Sequence, residues 1–123
     1  MKIKELYALL NGQEGLNLEL KEDVDYTCVF AGDLMSDVLA KVNDGGSKMI
    51  LLTGLANAQS LRTAEMLDIS LVVLVRGKTF REEDLEVAKE ANIACFTTDM
   101  VMFEACGVLY SNGLNGLPND TNW

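Results

Sequence analysis

Gly77-Lys78-Thr79 spells the last three residues of a phosphate-binding P-loop, and it follows an apolar run, "LVVLV", as that loop does. The full motif is G-x-x-x-x-G-K-[ST], because its first glycine opens the turn that wraps backbone N–H groups round the phosphates. With Gly77 as the second glycine, the first would stand at position 72, which is Val72, inside the apolar run itself. No loop precedes Gly77, so a P-loop is excluded on geometry as well as spelling. The stretch "NDGGSK" offers two glycines but lacks the ending.

What survives is charge and hydroxyls. Arg76, Lys78 and Arg81 put three cations within six positions of an acidic chain, beside a helix start that also favours anions. Glu82, Glu83 and Asp84 follow at once, and the competing reading is simple surface pairing with them. Thr97, Thr98 and Asp99 lie together without a base, since the chain has no histidine, the commonest general base and metal ligand. Cys28, Cys95 and Cys106 lie in "TCVF", "IACF" and "FEAC", with no C-x-x-C pair, and read as reduced core thiols. Asp33 and Asp37 have the spacing for one helix face and read as a cap and a solvated position in preference to a divalent-metal pair. No catalytic residue, metal or cofactor is expected.

These residues need elements to position them. Ile3, Leu6, Tyr7, Leu9 and Leu10 recur at helical spacing and stop at Asn11-Gly12. "NGQEG" reads as a turn, "LNLEL" as a brief strand and "YTCVFAG" as a second strand. Asp33 can cap a helix with the stripe Leu34, Met35, Val38, Leu39 and Val42, ended by "NDGG". Then apolar runs "MILLTG", "LVVLVRG" and "IACFTT", starting about 22 residues apart, alternate with three helical segments. Runs apolar throughout imply strands covered on both faces. The expected fold is a three-layer α/β/α domain with a mostly parallel sheet of about five strands.

Thr79 with Glu82 has capping-box spacing for the helix "REEDLEVAKEAN", and Thr98 or Asp99 can cap the last helix. That helix is apolar almost all round, with only Glu104 and Gly107 as exceptions between Met100 and Tyr110. One face would meet the sheet and the other a second subunit, so a homodimer is expected, with Met100, Met102, Phe103, Cys106 and Tyr110 at its interface. Residues 113–123, rich in Asn and Gly and holding Pro118, read as a flexible tail with Trp123 exposed.

In open parallel sheets ligands sit beyond the carboxyl ends of the strands. Here those ends carry Thr53, Gly54, Arg76, Gly77, Lys78, Thr97 and Thr98, the candidate ligand-binding set for a small anionic molecule or nucleotide.

Composition bounds the remaining classes. The 123 residues, 49% of them apolar, suffice for one compact domain. Nineteen acidic against ten basic residues give a net charge of −9, which repels nucleic acid and anionic lipid. No apolar run approaches the roughly 20 residues of a membrane span, and charges interrupt the first ten positions, so a cytoplasmic protein is expected.

Three segments, "AGDLMSDVLAKV", "ILLTGLANAQSLRTAEMLDISLVVLVRGK" and "IACFTTDMVMFEACGVLY", in their order and spacing resemble the DRTGG-domain proteins in their small stand-alone form. The resemblance spans residues 1–112. It implies a dimeric α/β domain similar to the N-terminal, non-catalytic domain of HPr kinase/phosphorylase and, more distantly, to that of the Mur ligases. DRTGG domains accompany CBS modules or phosphotransacetylase domains, which implies a regulatory or assembly role. The name-giving residues are poorly kept: the Asp-Arg pair is replaced near "LANAQ", and Thr-Gly-Gly becomes Arg76-Gly77-Lys78, with only Gly77 matching.

The expected function is therefore a non-enzymatic regulatory module that binds a small anion or nucleotide. The alternative is a dimeric structural or adaptor protein for a redox or carbohydrate-regulation system, with a protein partner. A phosphotransferase resembling HPr kinase is the remote third.

Overall fold

A computed structural model describes residues 1–42 and 46–117. The "NDGG" helix stop, through Asn43, Asp44 and Gly45, and the end of the tail, with Pro118 and Trp123, lie outside the described residues. Five strands form one sheet in the order β1-β5-β4-β3-β2: β1 Gln13–Leu16, β2 Cys28–Ala31, β3 Met49–Thr53, β4 Leu71–Leu74 and β5 Ala94–Thr97. β2 through β5 pair in parallel, with Ala31 opposite Leu52, Thr53 opposite Leu74 and Leu74 opposite Thr97. β1 closes the β5 edge antiparallel. Among the described residues the α-helices are α1 Ile3–Leu9, α2 Met35–Lys41, α3 Ala58–Met66, α4 Glu82–Ala91 and α5 Met102–Ser111.

The parallel strands are laid down in one direction across the sheet, so crossovers of constant hand deliver their helices to a single face. That face holds Met35 and Val38 of α2, Leu61 and Ala64 of α3 and Ala88 of α4 against Leu51, Val72 and Cys95. The opposite face takes α1 and α5: Ile3, Leu6, Ala105 and Leu109 pack on Ile50, Leu52, Val73 and Phe96. Every residue of β3, β4 and β5 is buried, as continuous apolar runs require when both faces are covered. Tyr7 and Phe96 meet edge to face at 5.1 Å. The three-layer α/β/α expectation holds.

Local boundaries differ in three places. The edge strand is "QEGL", not "LNLEL": Asn17 takes a left-handed backbone (φ 59°) that turns the chain out of the sheet, and Leu18–Lys21 form a 3-10 turn. The Asn17 side chain donates to the Ile93 carbonyl at 3.1 Å, beside the C-terminus of α4. Helix α4 is capped from within, where Asp84 Oδ2 accepts the Arg81 N–H at 3.2 Å, so Thr79 is not its cap. Neither Thr98 nor Asp99 caps α5, which starts after Val101 without a side-chain cap.

Helix α5 is apolar by composition but not buried all round. Ala105 and Leu109 face the core, while Phe103 is 89% exposed and Tyr110 is 77% exposed. Beyond it the chain from residue 113, expected as tail, begins with buried Leu114, and Asn115 pairs with the outer edge of β2 through Val29 N–H to Asn115 O at 2.8 Å and Asn115 N–H to Thr27 O at 3.1 Å. Among the described residues, no helix is long and apolar enough to cross a membrane.

Candidate functional site

The carboxyl ends of β2, β3 and β4 lie side by side, and each contributes to one constellation. After β2 comes Asp33, after β3 Gly54 and after β4 Arg76. Asp33 Oδ1 accepts the Gly54 N–H at 2.6 Å and the Thr53 hydroxyl at 3.3 Å, while Oδ2 accepts from Arg76 Nη2 at 3.3 Å. A backbone amide, a hydroxyl and a guanidinium thus converge on the two oxygens of one carboxylate. The Gly54 N–H, and after it the charge and hydrogen bond of Arg76, hold the Asp33 carboxyl below its usual pKa. Both partners are about half exposed, 40% for the Arg76 side chain and 48% for Asp33. Such an ion pair contributes no more than about 1 kcal/mol.

Arg76 is placed by a tight turn. Val75 closes it by accepting the Lys78 N–H at 3.2 Å, with positive φ at both central residues, 60° at Arg76 and 68° at Gly77, as in a type I′ turn. Gly77 suits that backbone, whereas an arginine carries strain there. Two bonds from the next loop hold it: Arg76 N–H to Met100 O at 2.8 Å and Gly77 N–H to Thr98 O at 2.9 Å. The loops after β4 and β5 depart to opposite faces, toward α4 and α5, the divergence that opens ligand crevices in open sheets. These bonds stitch the divergence together.

Several candidate hydroxyls are committed to the scaffold. Thr97 Oγ1 donates to Lys78 O at 2.5 Å, and buried Thr98 donates to Leu10 O at 2.5 Å while accepting the Met100 N–H at 3.2 Å. They brace the rim. Lys78 is exposed, and among the described residues it makes no ion pair; Arg81 pairs with Glu83 at 3.1 Å and Asp84 at 3.4 Å. The cation–carboxylate pairing anticipated along the chain therefore applies to Arg81, whereas Arg76 turns to Asp33.

Asp33 is the residue that reading the sequence misassigned. It is not the cap of α2, whose N-terminus begins after Leu34 without a side-chain bond, and it sits apart in role from Asp37 in the first turn. The signal was present: the rule that nominated the residues just past β3, β4 and β5 nominates Asp33 when applied to β2.

The expected interface residues divide. Phe103 and Tyr110 stand out from α5, and Met100, Met102 and Cys106 pack against the core. Phe103, Cys106, Gly107 and Tyr110 flank an apolar groove of about 360 Å³, closed on its other side by Val29, Ala31 and Leu114. Of the cysteines only Cys95 is buried, its thiol pushed up to about 11 by burial; Cys28 and Cys106 are half-buried and also raised by burial, the reverse of an activated nucleophile.

Fold and site together define a three-layer α/β domain whose parallel strand ends gather a backbone amide, a hydroxyl and a guanidinium round the Asp33 carboxylate. The fold is similar to that of a solved structure, the CBS and DRTGG domains of the regulatory region of Clostridium perfringens pyrophosphatase, crystallised with its activator diadenosine tetraphosphate. The TM-score is 0.69 at 24% identity, over 88% of this chain and 45% of that one. This chain thus spans less than half the length of that regulatory region. No protein-family model matches the sequence, and no curated protein matches it.

Proposed function

We propose that this domain is a regulatory, non-catalytic module that binds a small anionic metabolite or nucleotide at the carboxyl ends of β2, β3 and β4. One observation carries the reading: the Gly54 N–H, the Thr53 hydroxyl and the Arg76 guanidinium, from adjacent strand ends, converge on a single carboxylate. That donor set recognises an oxyanion by charge and by geometry. Exposed Lys78, two positions along the same turn, adds a second cation in an otherwise acidic chain. The likeness of fold to a regulatory region that binds a dinucleotide polyphosphate agrees with this reading. Thermal-shift screening against nucleotides and acyl phosphates tests it, because a ligand selective for the native state raises Tm. Stabilisation that disappears in Arg76→Ala is expected; no stabilisation of the wild-type protein by any of them at millimolar concentration overturns the proposal.

A second reading, a dimeric adaptor, is favoured by Phe103 and Tyr110, two large side chains exposed beside an apolar groove on one face. Sedimentation equilibrium tests it, and a monomer at micromolar concentration sinks it.

A further inference from the structure

We propose that Asp33 is a built-in competitor: its carboxylate holds the place of the ligand's oxyanion, and a ligand must displace it to reach Arg76, Thr53 and Gly54. The proposal rests on the ligand-binding reading above and adds what regulates that site.

The argument starts from how fully Asp33 satisfies the rim. Its Oδ1 takes the Gly54 N–H and the Thr53 hydroxyl, and its Oδ2 takes Arg76. A ligand carboxylate, or two oxygens of a phosphate, would need the same donors. Asp33 is not otherwise committed, because it makes no cap for α2 and its side chain is half exposed. It enters from the short connection between β2 and α2, with Gly32 anchored to Leu52 O at 3.0 Å just before it. A half-exposed pair of this kind opens readily, so the competitor lowers ligand affinity without abolishing it. The apparent dissociation constant is the intrinsic one divided by the fraction of molecules in which the donors are free. Removing Asp33 brings that fraction to one.

The guanidinium of Arg76 also lies over Gly54, which has no Cβ to obstruct it. Arg76 can therefore stay in place while the anion beneath it is exchanged. The ligand class that fits is a small molecule with a terminal carboxylate or phosphate, and the two chemistries are separated by using one probe of each.

Isothermal titration of sodium phosphate and of sodium acetate into the wild-type protein, Asp33→Ala, Asp33→Asn and the double variant Asp33→Ala/Arg76→Ala is the test. The expected result is binding of at least one probe about fivefold tighter in Asp33→Ala than in wild type, lost in the double variant. Asp33→Asn keeps the shape and the acceptor oxygen but not the charge, and it carries the test if the alanine variant fails to fold, again by tightening binding. Equal affinity in wild type and both Asp33 variants overturns the competitor while leaving the binding reading intact. Weaker binding in the Asp33 variants also overturns it, making Asp33 a residue that positions Arg76. No binding of either probe by wild type or by any folded Asp33 variant overturns the competitor and the oxyanion site together.

Discussion

Arg76 Nη2 meets Asp33 Oδ2 at 3.3 Å across a separation of 43 residues, and the guanidinium reaches it by lying over Gly54, the residue at the end of the strand between them. Three consecutive strand ends are thereby tied through one cation and one carboxylate. The contact depends on the absence of a side chain at position 54 as much as on either charge.

Gly54→Ala is expected to break that contact. A Cβ at 54 would overlap the guanidinium, and the guanidinium is the free end of a flexible side chain, so Arg76 moves and the backbone does not. The cost in stability should stay within about 1 kcal/mol, the scale of an exposed ion pair. A crystal structure of the variant with Arg76 still on Asp33 would refute this.

Stability should carry a pH dependence assigned to Asp33. Its folded-state pKa is lowered, by the Gly54 N–H first and Arg76 after it, so its contribution is present above the unfolded value of about 3.9 and is lost as pH falls through the folded value. Urea denaturation of wild type and Asp33→Asn should show a wild-type advantage at neutral pH that shrinks once the pH is taken below about 4. A difference that does not change over that range would assign the dependence elsewhere.

Thr98→Val tests the bracing of the rim. The buried hydroxyl donates to Leu10 O and accepts from the Met100 N–H, joining the end of β5 to the end of α1 and to the loop that holds Arg76. Leaving those groups without a partner should cost about 1–3 kcal/mol in chemical denaturation. A neutral result would show the hydroxyl to be dispensable.

Two phenylalanines should behave in opposite ways. Phe96 is 2% exposed and packs on Tyr7, so Phe96→Ala should cost about 3–5 kcal/mol. Phe103 is 89% exposed, and Phe103→Ser should leave the unfolding free energy of the single chain within about 0.5 kcal/mol. If Phe103→Ser lowers Tm in a manner that depends on protein concentration, Phe103 lies in a subunit contact.

The layers were legible because uninterrupted apolar runs leave little choice: β3, β4 and β5 must be covered on both sides, and the helical segments between them do the covering. The candidate rim was legible in part, since strand ends follow from strands. Asp33 escaped because a single Asp ahead of an apolar helical stripe is locally indistinguishable from an N-cap; its partners are 20 to 43 positions away. Thr79 escaped for the same reason, its capping role taken by Asp84 from inside the helix. In the first strand, the alternation of "LNLEL" was overridden by the left-handed backbone at Asn17, which the pattern of side chains does not encode.

By itself the sequence determined the class of fold, the absence of a P-loop and the cations delivered to the end of β4, because periodicity, motif spacing and charge are properties of neighbours along the chain. Tertiary structure alone decided which carboxylate meets Arg76, which threonines are spent on the scaffold and which side of α5 stays exposed. Those outcomes depend on strand order and on the register of parallel strands, which bring together residues that share no local signal.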